Sequence, residues 1–262
     1  MLPDFELITH KFPERKDIRI YAIADVHFGA KEHLEREWSL FCANFLKDES
    51  AYLILAGDLI NNGLKNSVTN VYSETVRPRD QKRIMTEMLM PLKDRILAAT
   101  SGNHERRSAK EADNDPTLDI MDKLGLEHLY RENMAFVKIQ IGNNRIDGTR
   151  NPSYVLAATH GAGGGALTGG AVNKAERFGY VIDGIDALIV GHTHKPFVTD
   201  PVKIKVDANH KKIYFAPFRV ISVSSWLAYG GYPVRKMLSP TANTRQIITL
   251  SGTKKEIRVE TY

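Results

Sequence analysis

The chain has 262 residues, 42% of them hydrophobic and 26% charged, with a formal net charge of +5. That apolar content excludes a disordered chain, and no apolar stretch approaches the roughly 20 residues that a membrane helix needs. Cys42 is the only cysteine. It excludes an internal disulfide and a cysteine-based zinc site, and it makes the cytoplasm the expected compartment.

Residues 1–16 carry no apolar signal core. In chain order, IRIYAIA (18–24) predicts a strand. Residues 31–48 predict a helix, because Leu34, Trp38, Phe41 and Phe45 recur at spacings of three and four. YLILAG (52–57) predicts a buried strand. Residues 80–96 predict a helix with a kink or break near Pro91. ILAATSG (96–102) predicts a strand and 117–126 a short helix. From about residue 129 strands dominate: 134–142, 153–161, 186–192, and then β-branched runs through 197–207, 211–226, 245–252 and 254–262. Mixed βα units followed by many strands predict two packed sheets with helices outside.

Five of the apolar runs end in compact polar motifs. IRIYAIA ends in DVH (Asp25, His27), YLILA in GDLIN (Asp58, Asn61) and ILAAT in SGNHE (Asn103, His104). YVLAA ends in THG (His160), and ALIV in GHTH (His192, His194). Loops at the carboxyl ends of strands gather into one crevice in α/β sheets, so the five are expected to meet at one sheet edge. Imidazole nitrogens, carboxylate oxygens and one amide oxygen, with no thiolate, suit a pair of divalent transition metals and suit calcium poorly. Asp58 is placed to donate to both ions. Glycines before Asp58, Asn103 and His192 are expected to let the backbone turn sharply off each strand. A lone histidine at a strand end is more often an ordinary loop residue, so the weight rests on the five motifs together.

In that order, D-x-H, G-D-x-x-N, G-N-H-E, H and G-H-x-H resemble the calcineurin-like metallophosphoesterase superfamily over Asp25 to His194. The resemblance implies an α/β fold: a four-layer α-β-β-α sandwich of two mixed β-sheets flanked by helices, one domain over residues 1–262, with its metal site at the strand C-terminal edge. It implies one ion on Asp25, His27, Asp58 and His194, and a second on Asp58, Asn103, His160 and His192. Manganese is the first expectation, with iron, zinc, cobalt or nickel as others. It also implies a catalytic pair. Asp58 bridges the ions and their shared hydroxide attacks phosphorus, while His104 acts as general acid or polarises the leaving oxygen.

The protein phosphatases of this superfamily carry G-D-x-V-D-R-G. Here GDLINNG puts Asn61 where that branch has the aspartate that orients the catalytic histidine, and Asn62 where it has a phosphate-binding arginine. ADVHFG is similar to the D-x-H-x-G opening of the DNA-repair exonucleases, a style shared by short phage forms. Basic residues gather at 77–83 and 104–107, which fits either ordinary surface chemistry or a polyanionic partner. The expected substrate is therefore a phosphodiester of DNA, RNA or a nucleotide, with Asn61, Asn62, Arg106 and Arg107 as substrate-binding candidates. The alternative is a phosphomonoesterase acting on a nucleotide or a phosphoprotein. A catalytically silent binding scaffold ranks lower, because no ligand is missing. No membrane partner is expected, and a homodimer is left open.

Three further stretches stand out. HGAGGGALTGG (160–170) reads equally as a mobile loop over the metals or as a plain connection. In SSWLAYGGYPVRK (224–236), Trp226 is expected to pack in the core, while Tyr229 and Tyr232 are left open between base stacking and packing. KIKVDANHKKIYF (203–215) fits an ordinary hairpin turning near Asn209, or an interface, with His210 a turn residue.

Overall fold

The computed structural model describes residues 3–65, 67, 71–142, 151–163 and 167–262. In chain order its elements begin with β1 (Ile8–Phe12), β2 (Asp17–Ile23), α1 (Glu35–Phe45), β3 (Ala51–Ala56), α2 (Pro78–Leu89), β4 (Ile96–Thr100) and α3 (Asn103–Ala112). Next come α4 (Pro116–Lys123), β5 (Tyr130–Arg131), β6 (Met134–Ile141), β7 (Ser153–Thr159), α5 (Thr168–Val181), β8 (Ala187–Val190) and β9 (Phe197–Thr199). The tail holds β10 (Val202–Asp207), β11 (Lys212–Pro217), β12 (Arg219–Ser222), α6 (Tyr232–Arg235), β13 (Gln246–Ser251) and β14 (Ile257–Thr261).

One six-stranded sheet has the order β14-β13-β2-β3-β4-β5 and the other β1-β6-β7-β8-β12-β9; β10 and β11 pair with each other alone. Both sheets are mixed. β2, β3 and β4 are parallel neighbours, whereas β13 joins β2 antiparallel. β7, β8 and β12 are parallel neighbours, whereas β6 joins β7 antiparallel. One buried cluster joins the sheets, with Ile20, Leu53 and Ala99 from the first and Val137, Leu156 and Ile189 from the second. All six residues of β3 are buried, and each large aliphatic side chain so placed contributes about 1.5–3 kcal/mol of transfer free energy.

Helices cover the outer faces. α1 buries Trp38, Phe41 and Phe45, the stripe expected from its spacing. α2 ends at Leu89 and a 3-10 turn, Met90–Arg95, carries Pro91 at its start. The break expected at that proline is where the ring cannot continue an α-helical ladder.

Two helices have no counterpart in the apolar pattern. α3 buries only His104 and Glu105, so it has no apolar stripe to read. α5 occupies part of the glycine-dense stretch, which is therefore helical from Thr168 and not a loop to its end. Residues 164–166 of that stretch lie outside the described residues. α5 buries Ala171, Ala175 and Gly179. A β-carbon at Gly179 would come within 2.5 Å of the Phe218 ring, so its small residues serve close helix–sheet approach. No helix among the described residues is long and apolar enough to cross a membrane.

Candidate metal centre

The five polar motifs meet, but at the edges of both sheets and not of one. β2, β3 and β4 bring Asp25, His27, Asp58, Asn103 and His104 from the first sheet, and β7 and β8 bring His160, His192 and His194 from the second. A sixth strand end, unread in the sequence, joins them. The chain leaving β12 donates Trp226 N–H to the Asp25 carbonyl at 2.9 Å, pinning the first loop. The Trp226 indole packs against Trp38 and Phe41, with the Arg245 guanidinium 3.8 Å from its centroid, so Trp226 is a core residue as expected.

The donor atoms form two linked groups. In one, Asp25 Oδ1 lies 3.1 Å from His194 Nε2 and 3.7 Å from His27 Nε2, and the two imidazole nitrogens are 3.3 Å apart. In the other, Asn103 Oδ1 lies 3.0 Å from His160 Nε2 and 2.7 Å from His192 Nδ1. Asp58 Oδ2 stands between them, 3.7 Å from His27 Nε2 and 3.3 Å from His160 Nε2. Two ligands each about 2.1 Å from one cation lie about 3.0 to 3.5 Å apart at right-angled or tetrahedral geometry. Four of the seven separations fall in that interval, and the other three, at 2.7, 3.7 and 3.7 Å, lie just outside it. The sets Asp25/His27/His194 and Asp58/His160/His192 are each compact enough to hold an ion, as is His27/Asp58/His104.

The surroundings fit a cation too. Asp25 Oδ1 and His27 Nδ1 are buried without a hydrogen-bond partner, and such orphans demand an explanation. His160 donates Nδ1–H to the Ala56 carbonyl at 2.8 Å, which aims Nε2 at the cluster, the usual arrangement of a ligating imidazole. Burial alone would lower His160, but the Asp58 charge and hydrogen bond outweigh it and lift the ring to about 10. Burial alone would raise Asp25 and Asp58. The facing imidazolium charges outweigh it, those of His194 at Asp25 and of His160 at Asp58, and both carboxyls sit far below the usual range. The cluster therefore carries two firm carboxylates in a dry setting, which favours cationic company.

Backbone strain concentrates here. Among the described residues nine non-glycine residues have positive φ, and five of them are Asp25, His27, Asp58, His192 and His194, at 47° to 67°. Asp and His tolerate the left-handed region better than most, yet each such residue costs roughly 1 kcal/mol or more. The three glycines before Asp58, Asn103 and His192 do not share one reason. Gly57 has φ +83°, so freedom of turn explains it. At Gly102 a β-carbon would sit 2.0 Å from Asp58 Oδ1, and at Gly191 2.6 Å from the Ala24 β-carbon. Those two are required by close approach, not by a left-handed turn.

His104 opens α3. Its Nδ1–H donates to the Asn61 carbonyl at 2.7 Å, leaving Nε2 3.8 Å from Asp58 Oδ2. Burial pushes this imidazole down to about 3, so it is neutral at physiological pH with its site-facing nitrogen unprotonated. The group that fixes this ring is thus a backbone carbonyl and not a side chain. Two acids that the sequence reading missed hold that carbonyl in place. Glu105 accepts Asp58 N–H and Gly102 N–H at 3.0 Å and Ile60 N–H at 3.2 Å. Its signal was present: a glutamate three residues after Gly102 is half of a capping box. Glu74 accepts Asn61 Nδ2–H at 2.8 Å and Gly63 N–H at 2.6 Å; no local pattern marks it.

The cluster opens into a cleft of about 810 Å³. Of the substrate-binding candidates, Asn61 and Arg107 line it. Asn62 and Arg106 do not. The Asn62 amide is spent on the His104 carbonyl and Ser108 Oγ, both 2.7 Å. The Arg106 guanidinium turns back to the Ser101 carbonyl at 3.0 Å. The far wall comes from residues 225–243, including Tyr229 and Arg235. Tyr229 is half exposed, and its hydroxyl donates to the Leu238 carbonyl at 2.7 Å.

A family model described as calcineurin-like phosphoesterase matches residues 18–196. No curated protein matches the chain. Among solved structures, the chain is similar to a conserved uncharacterized protein described as a predicted phosphoesterase, from Streptococcus pneumoniae. The match has 9% identity and a TM-score of 0.38, covering 95% of this chain and 98% of that one. It is also similar to a metallophosphoesterase from Sphaerobacter thermophilus, at 14% identity and a TM-score of 0.39, covering 94% and 88%.

Proposed function

The chain belongs to the calcineurin-like phosphoesterase family, and on that premise we propose that it hydrolyses phosphodiester bonds of nucleic acid or nucleotides with two divalent cations. The observation that carries this reading is the linked pair of donor groups with Asp58 between them. Asp25, His27, Asp58 and His194 would hold one ion, and Asp58, Asn103, His160 and His192 the other. The mixed nitrogen and oxygen donors suit manganese, with iron, zinc, cobalt or nickel as alternatives. Bound there, the ions supply Lewis-acid charge for the phosphoryl oxygens and a water of lowered pKa.

The chain's own residues do the rest. Arg107 lines the cleft beside His104 and meets a non-bridging phosphoryl oxygen. His104 is held by the Asn61 carbonyl so that Nε2 faces the cluster. An anionic ester entering the cleft opposes the burial that keeps this ring neutral, so Nε2 takes up a proton in the complex and passes it to the leaving oxygen. Tyr229 and Arg235 extend the cleft beyond the cluster. Their ring and charge suit a base and a second phosphate, which is what favours a diester over a small monoester. That β12, β13 and β14 complete the two sheets supports reading residues 1–262 as one domain, with the cytoplasm as the expected compartment.

The test compares manganese-loaded protein on bis-p-nitrophenyl phosphate and p-nitrophenyl phosphate, then on labelled single- and double-stranded DNA and RNA. Faster diester turnover, with cleavage of at least one nucleic acid, is expected. Much faster monoester turnover would establish the phosphomonoesterase alternative. No turnover with any cation would leave a binding scaffold.

A further inference from the structure

The hairpin β10–β11 is inverted. Its register pairs Val202 with Pro217, Ile204 with Phe215 and Val206 with Ile213 on one face, and Lys203 with Ala216, Lys205 with Tyr214 and Asp207 with Lys212 on the other. An ordinary amphipathic ribbon turns its apolar face to the protein. Here burial alternates the other way along β10: the three aliphatic residues are exposed, and Lys203, Lys205 and Asp207 are half-buried. Ile204, Val206, Ile213 and Phe215 are each 69–74% exposed.

The orientation is fixed by the polar face. Lys203 Nζ donates to the Ile182 carbonyl at the end of α5 and lies 5.1 Å from the centroid of the Phe218 ring. Lys205 pairs with Asp183 at 2.8 Å. The lysines therefore clasp the body and hold the apolar face outward. A two-stranded ribbon is marginal in water unless a further layer covers its apolar face. No described segment of this chain does so.

We propose that this face is where a second copy of the chain docks, hairpin on hairpin, in a two-fold dimer. Composition favours a copy. The face carries six apolar residues and no charge, the make-up of a homodimer core and not of a transient contact. Area agrees. Such a face presents roughly 600 Å², the upper end for a monomer, and two of them approach the roughly 1,200 Å² at which stable interfaces begin. A lipid surface suits it less. The tip is a polar turn, with Asp207 accepting from His210 N–H and ring at 3.0 and 2.8 Å, so the ribbon has no apolar tip to insert. No residue of the hairpin lines the cleft, so the docking face and the cleft are separate surfaces.

Sedimentation equilibrium of the full chain over micromolar concentrations tests this. The wild type is expected to be a dimer, and Ile204→Lys with Phe215→Glu a monomer. Tyr214→Glu, on the opposite face, is expected to stay dimeric. Unchanged thermal melts and unchanged turnover of a p-nitrophenyl ester would show that the variants are folded. A monomeric wild type, or a double variant that remains dimeric, overturns the proposal. So does a monomeric wild type that sediments with phosphatidylglycerol vesicles through Phe215, which would assign the face to lipid.

Discussion

The cleft and the hairpin each reverse the usual partition of polar and apolar groups, in opposite senses. In the cleft Asp25, Asp58 and His160 are almost fully buried, while on the hairpin Ile204, Ile213 and Phe215 stand in solvent. The cleft holds its groups with strained backbone at five residues; the hairpin holds its own in regular antiparallel pairing. Strain is tolerated where over-determined surroundings fix a geometry that chemistry needs. A flat apolar face asks only for another apolar face and needs none. The difference separates a site that must place atoms from a surface that must only present area.

The comparison breaks first at Asp58. Asp58→Asn keeps a residue type that accepts left-handed backbone but removes the shared carboxylate. We expect turnover to fall beyond the roughly 10⁴-fold reach of a single acid–base group, and the rise in Tm on adding Mn²⁺ to vanish. Retention of both would end the bridging assignment. His104→Ala comes next, with turnover of a poor leaving group down about 10²–10⁴-fold and the Mn²⁺-induced rise in Tm intact. Loss of that rise would make His104 a ligand, an arrangement its distance to Asp58 also allows.

Tyr229→Ala has a smaller and selective effect. A base stacked on the ring is worth roughly 1–3 kcal/mol, so nucleic-acid cleavage should drop by about tenfold while bis-p-nitrophenyl phosphate turnover holds. Equal loss on both substrates would remove Tyr229 from substrate recognition.

The next test is one of pH on chelated protein. His160 is raised to about 10, so its contribution is complete below about pH 6.5 and is lost as pH climbs through 10. Asp25 and Asp58 are lowered, so theirs is present above about pH 4 and lost in acid. Tm of the chelated protein should fall by a few degrees from pH 6.5 to 10, at roughly 2–4 °C per kcal/mol. The increment from Mn²⁺ should grow over the same interval, because ligating imidazoles must be deprotonated. A flat chelated profile would contradict the charge balance drawn for the cleft. The smallest effect belongs to the hairpin. Phe215→Glu should leave per-site turnover of a small ester within about twofold, since surface changes away from a site cost little. A large loss would tie the hairpin to the chemistry.

The strand ends were legible because each couples two strong signals, a buried apolar run and an abrupt polar stop. Their division between two sheets was not, since nothing in ALIV or YVLAA states which strands they pair with. α3 was hidden because NHERRSAKEA has no apolar stripe, and α5 because its buried face is alanine and glycine. The alternation of VKIKVD is plain in the sequence, but alternation is symmetric and cannot say which face turns inward. Asn62 and Arg106 show a related limit: spacing places a residue near a site, while side-chain bonds decide whether it points there. Glu74 was invisible because its tie to Asn61 comes from an unrelated segment.

The His27–His194 contact spans 167 residues, and it joins loops from different sheets. Its two loops follow β2 in one sheet and β8 in the other, so it closes only when both strands are paired and the sheets have docked. Ion affinity should therefore be among the last properties that a refolding chain acquires. In stopped-flow refolding, burial of Trp38 and Trp226 should precede the absorbance of bound Co²⁺. Simultaneous signals would mean that the cation itself draws the sheets together.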